Sequence, residues 1–431
     1  MSGAGELFKA VVEGTAEFDA LLAALRRRGE ADLGRVEPAV REILDAVKQD
    51  GDRALARLVE RFEGRRPERF FIRDYGGAEA LAGLNTEIRA ALELSAERVR
   101  RYHERQREGL FGFEYEERGV RLGSRVLPLA RVGVYVPGGK ARYPSSVLMA
   151  AIPAAVAGVK EIIVASPDTS AEVRAACHLA GVHALLDAGG AQAIAALAYG
   201  TESVPQVDKI VGPGNIYVAA AKRLVFGEVS IDSIAGPSEI LVVADDTAEA
   251  AIVAADLLSQ AEHDEAAYPL LLTTSAELVD AVRRELAAQL ATQPRRSIAE
   301  TSLREHGAAL VVSSLERLAA VANELAAEHV AVQTRDARAL ASVIRAAGAL
   351  FVGSNTPEAA GDYVAGPSHV LPTGGAARHA SPLGVYDFVA RSSIIEYTRE
   401  ALAVQGEAIA AFARAEGLEA HARAVEVRTK R

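Results

Sequence analysis

The sequence holds a single cysteine, Cys177, so no disulfide forms within the chain, and thiol use this sparse suits a reducing compartment. It has no apolar run near the roughly 20 residues that a membrane span requires. Residues 1–30 are polar and mixed in charge, without the apolar centre of a secretory signal. Positive charge is also short: 48 Lys and Arg face 58 Asp and Glu, a formal charge of −10. No Lys/Arg cluster with interleaved aromatics offsets this, which argues against a nucleic-acid partner. The arginine-rich stretch 97–107 reads as the exposed face of a helix. There is no low-complexity tract and no GxGxxG fingerprint. These absences leave a soluble, cytoplasmic, globular protein. At 431 residues, half of them hydrophobic, the chain is long enough for two or more domains, each with its own core.

Rhythm divides the chain. Over 35–108, Val40, Ile43, Leu44 and Val47 recur at helical spacing, and Ile88, Leu92 and Val99 suggest a second stripe. From 131 onward, short β-branched runs alternate with Ala-rich helical stretches. Strands are expected at 132–136, 162–165, 184–187, 209–211, 240–244, 270–273, 309–312, 330–333 and 350–352. Helices fit between most of them, as at 171–180, 191–198 and 248–263. Such alternation predicts parallel, doubly wound sheets. Nine strands are many for one small sheet, so the reading is α/β with two doubly wound lobes meeting near Pro237. The expected units are a mostly helical region 1–130 packing on the lobes, a first lobe 131–237, a second lobe 238–380 and a helical tail 381–431.

Doubly wound sheets bind ligands beyond the carboxyl ends of their strands. Three Gly-rich turns follow expected strands: Pro137-Gly138-Gly139, Gly189-Gly190 and Gly212-Pro213-Gly214-Asn215. Each is either a plain strand-to-helix turn or a place where backbone approaches a phosphate. The segment 361–375 is too rich in Gly and Pro for helix or strand, yet it carries Asp362, Tyr363, Ser368 and His369. A rigid loop with a carboxylate and an imidazole reads as one wall of a site. Upstream, Gln260 extends an apolar helical stripe and His263 projects beside it at i, i+3, so the two can share one cation. The competing reading is a capped helix end with a half-exposed histidine. Glu328-His329, where a helix runs into a strand, is a proton-transfer pair by residue type. The same dipeptide at Glu305-His306, in an ordinary turn, shows how little the pairing says alone. Cys177 lies inside an Ala-rich helix and reads as a packed, inert thiol.

Longer runs carry a resemblance. Val132-Gly133-Val134-Tyr135-Val136-Pro137-Gly138-Gly139, Gly189-Gly190-Ala191-Gln192-Ala193-Ile194-Ala195, Ala235-Gly236-Pro237-Ser238-Glu239, Leu257-Leu258-Ser259-Gln260-Ala261-Glu262-His263, the 361–375 loop and Glu416-Gly417-Leu418-Glu419-Ala420-His421-Ala422 occur in order. With these runs the chain resembles the histidinol dehydrogenases. The resemblance implies two incomplete Rossmann-like lobes, which suits the missing GxGxxG. It implies four-electron oxidation of L-histidinol to L-histidine through L-histidinal, with two NAD and one zinc per subunit. Zinc would fall on Gln260, His263, Asp362 and His421, the last reaching across an intertwined homodimer. NAD would contact Tyr135, Gln192 and Asn215. Substrate would be held by Ser238, Gln260, His263, His329, Asp362, His369, Glu416 and His421, with Glu328 and His329 catalytic. The chain departs from the family pattern at Ala327, Val330, Ser368 and Ser381-Pro382-Leu383-Gly384, close to the dipeptide and the loop, so substrate preference is the part of the resemblance these departures bear on. The rival readings are an NAD-dependent dehydrogenase of another small alcohol on the same scaffold, a zinc hydrolase, and a two-lobed binding protein without catalysis.

Overall fold

A computed structural model describes residues 7–28, 33–138 and 143–429; Gly139 of the first Gly-rich turn lies outside them. In chain order the strands are β1 Lys9–Val12, β2 Phe71–Ile72, β3 Phe113–Glu117, β4 Val120–Pro128, β5 Arg131–Tyr135, β6 Glu161–Ala165, β7 Ala184–Leu186 and β8 Lys209–Val211. They continue with β9 Ser230–Ile231, β10 Glu239–Ala244, β11 Tyr268–Thr273, β12 Ala308–Val311, β13 His329–Gln333, β14 Ala349–Val352 and β15 Val389–Tyr397. All nine expected strands are present, within a residue or two of their expected bounds.

The first sheet runs β2-β7-β6-β5-β8-β9 and the second β1-β12-β11-β10-β13-β14. Apart from the two-residue β2, antiparallel to β7, all neighbours in both are parallel. Leave out the outermost β2 and β1 and the two orders are the same: third, second, first, fourth and fifth strand. That is the half-Rossmann winding, made twice. Each sheet carries a buried apolar layer on both faces, which is why its strands read as unbroken apolar runs.

The early helices clothe these sheets. Glu37–Glu63 buries Val40, Ile43, Leu44 and Val47, and after a kink at Gly51 (φ +52°) buries Leu55, Leu58 and Val59 against the first lobe. Each such side chain contributes roughly 1.5–3 kcal/mol. The helix Thr86–Glu108, capped by Asn85, buries Leu92 and Val99, but Ile88 is exposed at 43%. Its apolar stripe begins a turn later than the spacing suggests.

Segments read as loop or helix also supply strands. β1 adds to the edge of the second sheet beside β12, and the helix Ala16–Arg26 follows it onto that lobe. β3, β4 and β15 form an antiparallel ribbon, so a strand precedes the two C-terminal helices Arg399–Ala415 and Glu419–Thr429. β3 is exposed along its length; with no buried face it lacks the alternation that marks a half-buried strand.

Candidate active site

The dipeptide Glu328-His329 stands at the amino end of β13, beside the amino end of β10, with Ile240 opposite His329. Glu239 ties the two strand starts together. Its N–H donates to Glu328 Oε2 at 2.9 Å, and its carbonyl faces His329 Nδ1 at 2.8 Å. Its carboxylate accepts from Gly374 N–H at 2.6 Å and from Arg28 Nη2 at 2.6 Å. The Arg28 and Glu239 side chains are each 1% exposed, so the pair is held in a medium where its attraction is strong and its loss costly. With Nδ1–H directed at the carbonyl, the His329 lone pair is left on Nε2. That nitrogen looks toward Glu358 Oε1 at 3.7 Å.

Glu358 begins the short helix Glu358–Tyr363, which also carries Asp362. The ligand atoms of His329, Glu358 and Asp362 lie within 4.8 Å of one another. Gln260, fully buried near the end of the helix Ala250–Ala261, joins them: the hydrogen-bond network directs its amide nitrogen to both Glu358 oxygens and its oxygen to Glu239 N–H at 3.2 Å. The helix expected over 248–263 ends at Ala261, so His263 lies beyond it in an exposed turn rather than on the helix beside Gln260; from there it bears electrostatically on both His329 and His369. His369 Nδ1 is 3.8 Å from Asp362 Oδ1, and its Nε2 is 3.4 Å from Ser146 Oγ of the first lobe. Residues 361–363, expected as loop, form the end of the helix Glu358–Tyr363; with the irregular stretch that follows to 375 they make a wall between lobes, fastened by Ser95 Oγ–H donating to the Tyr363 carbonyl and by Thr373 Oγ1 accepting from Gly236 N–H.

Burial sets the protonation. It lowers His329 to about 4, outweighing the pull of Asp362, so the ring is neutral at physiological pH. Burial, with the Glu239 charge next, holds Glu328 well above the usual carboxylate range. Glu358 is raised for the same reason, and the charges acting on it, from Asp362 and Asp256, are both negative. The C-terminal end of the helix Ala250–Ala261 adds partial negative charge. An acid-rich pocket with imidazole, amide and carboxylate donors fits a divalent cation such as zinc.

A second feature lies at the carboxyl edge of the first sheet. A cavity of about 1470 Å³, above the roughly 300–1,000 Å³ of common ligand pockets, is lined by Tyr135, Asp168, Gln192 and Asn215 among others. Gly190 N–H donates to the Tyr135 hydroxyl at 3.0 Å, and Asn215 caps the helix Ile216–Val225. Gly212 (φ +111°) must be glycine, because a Cβ there would lie 2.1 Å from the Tyr135 carbonyl oxygen. A dinucleotide fits this crevice by volume and by the helix N-termini that face it.

The expected residues therefore fall into three groups. Gln260, His263, Asp362, His369, Glu328 and His329 gather at the amino edge of the second sheet, where Ser238 leads into β10. Tyr135, Gln192 and Asn215 share the first-lobe cavity. Glu416 and His421 are exposed on the C-terminal helices, and among the described contacts none joins them to this chain's pocket. Sequence reasoning missed Glu358, Arg28, Glu63 and the role of Glu239. Glu239 stood inside a quoted run; the others carry no local signal. Cys177 is buried and its thiol pushed up by burial, as an inert core residue should be. The departures are structural. Val330 and Ala327 are core residues, and Ser368 Oγ accepts from Val370 N–H at 3.2 Å.

Comparison with known proteins identifies the family. The family model described as histidinol dehydrogenase matches residues 26–429. The histidinol dehydrogenase of Syntrophotalea carbinolica is 51% identical over 428 residues, 96% of this chain and 97% of that protein. That of Aquifex aeolicus is 50% identical, covering 94% and 95% respectively. The crystal structure of histidinol dehydrogenase from Elizabethkingia anophelis superposes with a TM-score of 0.90 at 32% identity, covering 98% of each chain.

Proposed function

The chain belongs to the histidinol dehydrogenase family, and we propose that the pocket at the amino edge of its second sheet is where that family's reaction takes place. The reaction is the NAD-dependent oxidation of L-histidinol in histidine biosynthesis. The observation that carries the assignment is His329, buried, neutral and oriented by the Glu239 carbonyl so that Nε2 faces the acid cluster.

A primary alcohol holds its proton far above neutral pH, so the hydroxyl proton must leave as the hydride does. His329 Nε2 takes it. Tyr135, Gln192 and Asn215 of the first-lobe cavity would hold NAD, which would supply the hydride acceptor that no side chain can provide. The aldehyde then needs water. Glu328, whose surroundings raise its appetite for a proton, takes one from that water as it adds, and His329 takes the diol proton in the second oxidation. The sum is L-histidinol, water and two NAD giving L-histidine, two NADH and protons. Ser238 and His369 hold the substrate. A zinc ion on Gln260, His263, Asp362 and a His421 would act as a template for the substrate's imidazole and amine.

His421 and Glu416 would reach that site from a second copy. Support comes from the surfaces left bare: Phe113 and Ile395 on the ribbon and Val404 and Phe412 on the last helices are between 59% and 82% exposed. A homodimer that exchanges these segments covers them and completes the site. No helix among the described residues is long and apolar enough to cross a membrane, and we place the enzyme in the cytoplasm.

The test is NADH formed per mole of limiting L-histidinol. Two NADH support both oxidations and the hydration role of Glu328. One would mean an alcohol dehydrogenase that stops at the aldehyde; none, from folded zinc-loaded protein, would move the assignment to another alcohol.

A further inference from the structure

In a half-Rossmann winding the ligand lies where strand order reverses, here between β5 and β8, and an acid after the second strand can reach the ribose of the adenosine half. In the first lobe the second strand is β6, and Asp168 follows its end. Asp168 lines the cavity and sits at φ +45°, one of three non-glycine residues in the left-handed region among the described residues. The turn is held: Asp168 N–H donates to Asp187 Oδ1 at 2.9 Å, and Asp187 is paired with Arg65 at 2.7 Å.

The other nearby acids are in use. Asp187 is spent on that turn. Glu63 accepts from Gly189 N–H at 2.9 Å, from Gln192 Nε2 at 3.2 Å and from Arg65 at 2.6 Å. Glu42, also on the cavity wall, belongs to the outer helix Glu37–Glu63 rather than to a strand end. The Asp168 carboxylate makes no hydrogen bond or ion pair with any described residue and is exposed to the cavity side. A fixed, unpaired carboxylate at a strand end suits two vicinal hydroxyls, which it can bind through both oxygens. It repels a phosphate in the same place.

We propose that Asp168 is the residue that selects the cofactor, holding the adenosine ribose hydroxyls of NAD and excluding the 2′-phosphorylated dinucleotide. This rests on the first-lobe cavity being the NAD site. Arg65, through Asp187, is its positioning partner.

The experiment measures dissociation constants of NADH and NADPH by the fluorescence of the reduced nicotinamide itself. It uses the full-length chain as wild type, Asp168→Asn and Asp168→Glu, without substrate. A hydrogen bond to a charged group is worth about 1.5–3 kcal/mol, so Asp168→Asn should weaken NADH about tenfold to hundredfold. NADPH should tighten as the repulsion goes, narrowing the preference at least tenfold. Asp168→Glu, keeping the charge, should retain the preference. If Asp168→Asn leaves the NADH/NADPH ratio within twofold of wild type while both bind, this selection role is overturned and the cavity remains the NAD site. If wild type binds neither nucleotide, the cavity assignment itself falls, and this inference with it.

Discussion

In the first lobe the residues around the cavity follow their strands: Tyr135 ends β5, Asp168 comes after β6, Gln192 after β7 and Asn215 after β8. In the second lobe the residues of the pocket come before or begin theirs: Ser238 and Glu239 at β10, Glu328 and His329 at β13. The strand order is the same, so winding alone does not decide which edge works. The difference follows from what each edge offers. At a carboxyl edge the helix N-termini present N–H groups, which suit the phosphates of a dinucleotide. At an amino edge the helices end, as Ala250–Ala261 does beside Gln260, and their partial negative charge suits a cation. On the function proposed, one edge of each lobe would serve as a cofactor site and a metal site from one repeated fold. On that proposal the general rule that ligands lie beyond the carboxyl ends would hold for one lobe of two.

The comparison can be broken most sharply at His329. Replacing it with Asn should lower kcat by roughly two to four orders of magnitude while leaving zinc bound by metal analysis; a normal rate would remove the amino edge from the chemistry. Next is the buried pair beneath it. Arg28→Met leaves Glu239 as an unpaired buried charge, so urea unfolding should show a loss of about 3–5 kcal/mol, with kcat falling as His329 loses its anchor. A change in stability below 1 kcal/mol would mean that Glu239 is held from elsewhere.

Glu328 gives a smaller and pH-dependent effect. Its proton affinity is raised, so the basic form fills only as pH rises. Oxidation of supplied L-histidinal should therefore speed up above neutrality, and Glu328→Gln should be slower, by about tenfold or more, and lose that limb, read from rates across a pH series. Alcohol oxidation by the same variant should keep its rate. The smallest effect tests the other lobe. Asn215→Asp keeps an oxygen to cap the helix Ile216–Val225, so the melting temperature should hold. It removes an amide donor and adds a negative charge, so KM for NAD should rise several-fold, with kcat at saturating NAD little changed. A changed kcat would place Asn215 closer to the chemistry than the lobes' division of labour allows.

Much of this was legible in the residues. Nine strands could be placed because both faces of each sheet are buried, which makes the strands unbroken apolar runs. Gln260 could be placed by helical spacing, whereas His263 lies exposed in the turn beyond the helix end at Ala261; the 361–375 segment stood out by carrying chemical groups among Gly and Pro. The ribbon β3, β4 and β15 was not legible, since strands with exposed residues on both faces look like any polar segment. Glu358 was missed because one acid at the start of a six-residue helix has no pattern around it. Arg28 and Glu63 come from helices or helix ends that read as covering layers.

By itself, then, the sequence determined the two-lobed α/β winding, the residue types of the site and, through its long ordered runs, the family. Periodicity and turn chemistry are local, and local order is what a chain displays. Tertiary structure alone decided that Glu239 orients His329 across 90 residues of chain and is itself held by Arg28 211 residues before it, and that Glu416 and His421 stand apart from their own chain's pocket. Those are contacts between distant segments, set by how packed sheets and loops meet, and no spacing along the chain encodes them.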